Sequence, residues 1–124
     1  MVDILQDLLN NRVHIKNYMK ESNINIYYYE LPEVIRGFAF KYRNRKTIFI
    51  NKMLKHKEKK LTLFHEIAHI EFDHFKLKQS ISADECEKEV ENFIKLNYDK
   101  IIRNKSINYF LYKKVTEFII KSND

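Results

Sequence analysis

The residues most able to do chemistry lie in one five-residue run, His65-Glu66-Ile67-Ala68-His69. On an α-helix, positions i and i+4 sit one turn apart and about 40° around the axis. Two imidazoles at that spacing can reach one Zn²⁺ at roughly 2.0–2.1 Å. Glu66 projects about 100° from His65, at the edge of the same face. There it is not itself a ligand but can serve as general base to a water held at the open coordination position, the arrangement used by H-E-x-x-H metalloproteases. The surrounding residues make the helix apolar on two sides. Leu61, Ala68, His69 and Phe72 share the face of His65, and Leu63, Ile67 and Ile70 lie roughly opposite. A helix of that kind is buried, and buried imidazoles and carboxylates require partners.

A catalytic zinc generally takes a third protein ligand. The segment after Ser82 offers Glu85, Glu87, Glu89 and Glu91 on a second helix, opened by a Ser82-x-x-Glu85 capping box. Its apolar stripe is Ala83, Cys86, Val90, Phe93 and Ile94. Glu87 lies about 60° from the centre of that stripe, Glu89 and Glu91 about 100° away on opposite sides, and Glu85 about 140° away. Glu87 is therefore the carboxylate expected to face inward as the third ligand. Glu85 and Glu89 read as a solvated acidic face. His74 falls about 180° from His65 if the motif helix persists, and so is not expected to share the metal. Asp73 can reach His69 along the helix, either to orient its imidazole or as a surface contact. Cys86 reads as a small buried hydrophobe. One of the tyrosines could hydrogen-bond an oxyanion, with nothing in the sequence to say which.

The stretch Leu61-Thr-Leu-Phe-His-Glu-Ile-Ala-His69, followed by Glu87-Lys-Glu-Val-Glu-Asn-Phe93, resembles the ImmA/IrrE family of zinc metallopeptidases. In that family H-E-[LI]-[AG]-H is paired with a downstream E-x-[EQ]-A-[ND]-x-F-A helix. The resemblance implies His65, His69 and Glu87 as zinc ligands, Glu66 as general base, and a zincin-like fold. It covers residues 1–96, including the segment Thr47-Ile-Phe-Ile-Asn51 before the motif helix. The chain departs from the pattern at Val90, Glu91 and Ile94, and reads Leu96-Asn-Tyr-Asp-Lys100 where Leu-Leu-Met-Pro is common. The implied activity is zinc-dependent endopeptidase cleavage of a protein substrate, commonly a helix-turn-helix repressor encoded nearby. The alternative is a catalytically silent relative that regulates a partner by binding, in an anti-repressor or toxin–antitoxin-like role.

The elements that must position these residues follow from periodicity. Apolar residues recur at helical spacing from Asp3, a candidate N-cap, to Met19. Ile24–Glu30, Ile35–Tyr42 and Thr47–Ile50 are β-branched and aromatic runs, the last two forming a hairpin. The motif helix spans about Lys57–Asp73, a loop covers Phe75–Ile81, and a last amphipathic helix covers Ile107–Ile120 with Ser106 as its cap. The order predicts an α+β domain, a small, mainly antiparallel sheet packed against helices that include the motif helix, and the resemblance implies that it is zincin-like. All 124 residues are read as one domain, with a short helical segment at 97–124.

Composition narrows the setting. The lone Cys86 excludes a disulfide scaffold, the N-terminus has no apolar h-region, and no run approaches membrane-spanning length. A cytoplasmic protein without membrane contact is expected. The net charge of +6 comes mostly from lysine, 18 Lys against 5 Arg. Nine basic residues against Glu58 alone lie between Lys41 and Lys60. That stretch reads first as solvated surface and second as a docking surface for an acidic partner. Nucleic acid is not an expected partner, since neither a helix-turn-helix nor a basic recognition helix is visible.

Overall fold

The computed structural model describes residues 3–74 and 82–107. Helices α1 (Asp3–Leu9) and α2 (Ile15–Glu21) precede strands β1 (Ile24–Tyr29), β2 (Gly37–Tyr42) and β3 (Arg45–Asn51). Helices α3 (His56–Glu71), α4 (Ala83–Leu96) and α5 (Tyr98–Arg103) follow. The expected loop at 75–81 and the expected helix beyond Ile107 lie outside the described residues.

The α+β class holds, and the sheet is mixed. Its order is β1-β3-β2, with β3 antiparallel to β2 and parallel to β1. The hairpin closes through Arg43-Asn44, Arg43 taking a left-handed φ of 58°. The chain leaves β1, runs out to the far edge as β2, and returns between the two as β3. The central strand accordingly carries the most apolar run, buried from Thr47 to Asn51. Ile48 and Ile50 face the helices. Phe49 faces away from them, beneath the rings of Tyr27, Tyr29, Phe38 and Phe40 at centroid distances of 5.1–6.0 Å.

The helical spacing from Asp3 to Met19 is divided between two helices. Asn11 adopts φ 60°, a conformation Asn tolerates better than most residues, and the chain turns there. His14 then caps α2, its Nδ1 accepting from the Lys16 N–H at 3.0 Å. Leu5, Leu8, Ile15, Ile48, Ile50, Leu63, Phe64, Ile67, Val90, Ile101 and Ile107 are fully buried in one cluster that binds sheet and helices together. Helix α5 falls in the segment read as helical from residue 97 onward, and it is tied in by polar groups. Lys60 Nζ donates to Ile102 O at 2.7 Å, and buried Asn104 donates to Leu8 O at 2.7 Å.

Two features set the approach of β2 to α3. Asn51 is 2% exposed and holds the connection between β1 and β2. Its side chain donates to Leu31 O and Ile35 O at 3.1 and 3.0 Å, and accepts from the N–H groups of Leu31 and Met53 at 3.3 and 3.1 Å. Gly37 then passes so close to its neighbours that a Cβ would lie 2.6 Å from Phe49 O and 2.8 Å from Thr62 Cγ2.

Much of the basic stretch is used by the fold. Lys46 donates to Ser22 O, Arg43 stacks on Tyr42, and Lys57 and Lys59 lie over the rings of Tyr98 and Tyr28. Among the described residues no helix is long and apolar enough to cross a membrane.

Candidate metal centre

Helix α3 carries the motif with its apolar residues turned inward: Leu63, Phe64, Ile67 and Ala68 are fully buried. His65 and His69 emerge toward α4, their side chains 27% and 12% exposed. Helix α4 starts where the capping box places it. Ser82 Oγ accepts from the Glu85 N–H at 3.2 Å, and Glu85 Oε1 accepts from the Ser82 N–H at 3.0 Å. From that start Cys86, Val90 and Phe93 turn into the core, which leaves Glu87 at the edge of the buried face.

Its carboxylate meets both imidazoles. Glu87 Oε1 is 3.1 Å from His65 Nε2, and Oε2 is 2.8 Å from His69 Nε2. One donor atom from each of the three residues falls within a sphere of contacts no longer than 4.8 Å. Tetrahedral coordination at 2.0–2.1 Å separates ligand atoms by roughly 3.3 Å, so the two carboxylate–imidazole contacts would widen by a few tenths of an ångström around an ion. Two neutral nitrogens and one carboxylate are a donor set that suits zinc. His65, His69 and Glu87 can hold a metal ion. Cys86, beside Glu87 in sequence, is buried and contributes no donor to this group.

Glu66 is 7% exposed. Burial, and then the negative charge of Glu87, push its carboxyl up to about 7. A cation between the imidazoles and Glu87 would reverse the second contribution. Burial likewise holds His69 below its ordinary value, against the pull of Glu87.

Glu66 and His65 line a cavity of about 360 Å³ between α3, α4 and the start of β2. Its other walls are Arg36, Gly37, Leu61, Thr62, Glu91, Ile94 and Lys95. Glu91 and Ile94, two positions where the chain departs from the pattern it resembles, thus border the space beside the candidate metal site. Among the described residues, no tyrosine lines this cavity.

The structure adds to two sequence expectations. The motif helix ends at Glu71, so His74 does not continue its wheel. Instead His74 Nδ1 lies 2.9 Å from His69 Nδ1, the nitrogen that Asp73 would have had to reach. Glu89 is solvent-exposed, as expected of the acidic face, and its Oε1 also accepts from His74 Nε2 at 2.7 Å. Periodicity cannot place His74, which lies beyond the helix. The signal for it in the sequence is Asp73, a residue type that accepts a left-handed turn.

This arrangement, an α+β domain presenting a His-His-Glu group beside a buried carboxylate and a cleft, defines a metallopeptidase-type centre. Residues 19–110, well over half of the chain, match the IrrE N-terminal-like domain family (Peptidase_M78), and the chain belongs to that family of metal-dependent peptidases. No curated protein and no solved structure matches it significantly.

Proposed function

We propose that this protein is a zinc-dependent endopeptidase whose substrate is a protein, and specifically a helix-turn-helix transcriptional repressor encoded near it. His65, His69 and Glu87 hold the zinc, and Glu66 is the general base. The observation that carries this reading is the convergence of Glu87 on both imidazoles, 3.1 and 2.8 Å away, beside a cavity lined by His65 and Glu66.

Bound there, zinc would polarise the scissile carbonyl and make a water more acidic. The chain's own residues handle the protons and the substrate. Glu66 takes a proton from the attacking water as the water oxygen bonds to the carbonyl carbon. It then delivers that proton to the amide nitrogen as the C–N bond breaks. The substrate chain lies in the cleft between β2 and α4, its side chains meeting Leu61 and Ile94 on the apolar wall and Arg36, Glu91 and Lys95 on the polar one. The substrate class rests on the family resemblance. Co-incubation of zinc-loaded protein with the neighbouring repressor should give two fragments by intact mass, and a chelator should abolish them. An intact repressor that instead co-purifies with the protein would favour a regulator that acts by binding.

A further inference from the structure

Helix α3 stops in a way that brings a third imidazole to the metal centre. Phe72 closes the helix and Asp73 takes φ 59°. The Asp73 N–H then donates to Ile70 O, and the His74 N–H to His69 O, both at 3.0 Å. These are the paired bonds of a Schellman turn. The turn carries His74 back over the helix it has just left, where its side chain is only 4% exposed. On one side its Nδ1 meets His69 Nδ1 at 2.9 Å, and on the other its Nε2 meets Glu89 Oε1 at 2.7 Å.

For a neutral His74, the Glu89 end sets the sense of these hydrogen bonds. An ionised carboxylate only accepts, so His74 Nε2 carries the hydrogen. A neutral imidazole has one N–H, which leaves His74 Nδ1 as an acceptor. His69 must then donate from Nδ1, and its Nε2 keeps a lone pair. That atom is the one 2.8 Å from Glu87 Oε2, where a metal ligand is needed.

We propose that His74 and Glu89 are positioning residues, a hydrogen-bonded pair that holds His69 in the tautomer and ring orientation that ligates through Nε2. The inference rests on the zinc reading above and assigns neither residue a contact with substrate. Glu89 reaches the pair from α4, the helix that also supplies Glu87. One helix therefore provides a ligand and, through His74, the support of another ligand. Such outer partners typically change metal affinity by about 10–100-fold.

The test is zinc affinity measured by competition with a chromophoric chelator at fixed pH, on His74→Phe, His74→Asn and Glu89→Ala beside wild type. Phe keeps the ring volume but has no acceptor, whereas the Asn carboxamide oxygen can occupy the place of Nδ1. Affinity should fall about 10–100-fold in His74→Phe and Glu89→Ala, and stay within a few-fold of wild type in His74→Asn. A merely structural role would favour Phe over Asn. Imidazole ¹⁵N–¹H spectra of the zinc-loaded wild type, which depend on no variant's folding, should show hydrogens on His69 Nδ1 and His74 Nε2. Wild-type affinity in His74→Phe, or a His74 hydrogen on Nδ1, overturns the proposal and leaves the zinc site standing. Wild type that takes up no zinc removes the peptidase reading and this inference with it.

Discussion

Gly37→Ala puts the fit between β2 and the motif helix to a direct trial. The added Cβ would stand 2.6 Å from Phe49 O and 2.8 Å from Thr62 Cγ2, both inside the distance real Cβ atoms keep. Thr62 can rotate, though at 4% exposed it has little room. The Phe49 carbonyl cannot swing aside, because it belongs to the central strand, paired on both sides. Relief therefore requires β2 to shift. Overpacking of this kind costs about 1–3 kcal/mol. Replacing a strand glycine recovers about 0.5–1 kcal/mol of backbone entropy. The balance is a loss of about 1–2 kcal/mol, a fall in Tm of about 4–8 °C for a chain of this size. Gly37, Thr62, His65 and Glu66 border one cavity, so the shift should also weaken substrate binding more than zinc binding. The assay is thermal unfolding of Gly37→Ala alone and combined with Thr62→Ser. Losing the Thr62 methyl should restore only part of the stability, because the carbonyl contact remains. An unchanged Tm, or full recovery in the double variant, would refute the claim that the Phe49 backbone is the barrier.

Other outcomes follow from the packing and the site. Tyr28 buries a hydroxyl with no hydrogen-bond partner among the described residues, so Tyr28→Phe should stabilise the protein by about 1 kcal/mol in chemical denaturation. Burial also raises the Tyr28 pKa above the ordinary phenol range, so the unfolded chain loses this proton first. Folding stability should fall as pH rises beyond about 10, and the Phe variant should lose less of it. Asn51→Ala should cost about 2–4 kcal/mol in the same measurement, since its amide makes several bonds to the backbone of residues 31–53. Glu87→Ala should empty the site by metal analysis, whereas Glu85→Ala should keep the metal and lose about 1 kcal/mol with the capping box.

The part of the site carried by helical periodicity is legible in the order of the residues. His65 and His69 share a face because i and i+4 always do, and the stripe of Cys86, Val90 and Phe93 fixes the bearing of Glu87. What escapes such a reading depends on where the chain leaves a regular element. Asn11 and Asp73 take left-handed turns without glycine, and each ends a helix earlier than the apolar pattern suggests. The second of these turns decides where His74 goes, which no wheel can show. Strand pairing escapes for a different reason. Apolar runs specify that a strand is buried but not which neighbour it joins, and β3 reveals its central place only in being apolar on both faces. Helix α5, Tyr98–Arg103, lies in the segment read as helical, but it is too short and polar for periodicity to set its bounds. It forms because Ile101 and the Asn104 amide dock against the rest of the chain.

The central claim is that Glu66 moves the proton in a zinc-dependent cleavage, and Glu66→Gln tests it most directly. Gln keeps the size and a hydrogen-bonding end but cannot take and return a proton. Zinc content and repressor cleavage should be measured on the same preparations of wild type and variant. Equal zinc is expected, with a cleavage rate lower by at least about 10²–10⁴-fold in the variant. Equal zinc with undiminished cleavage would contradict the claim.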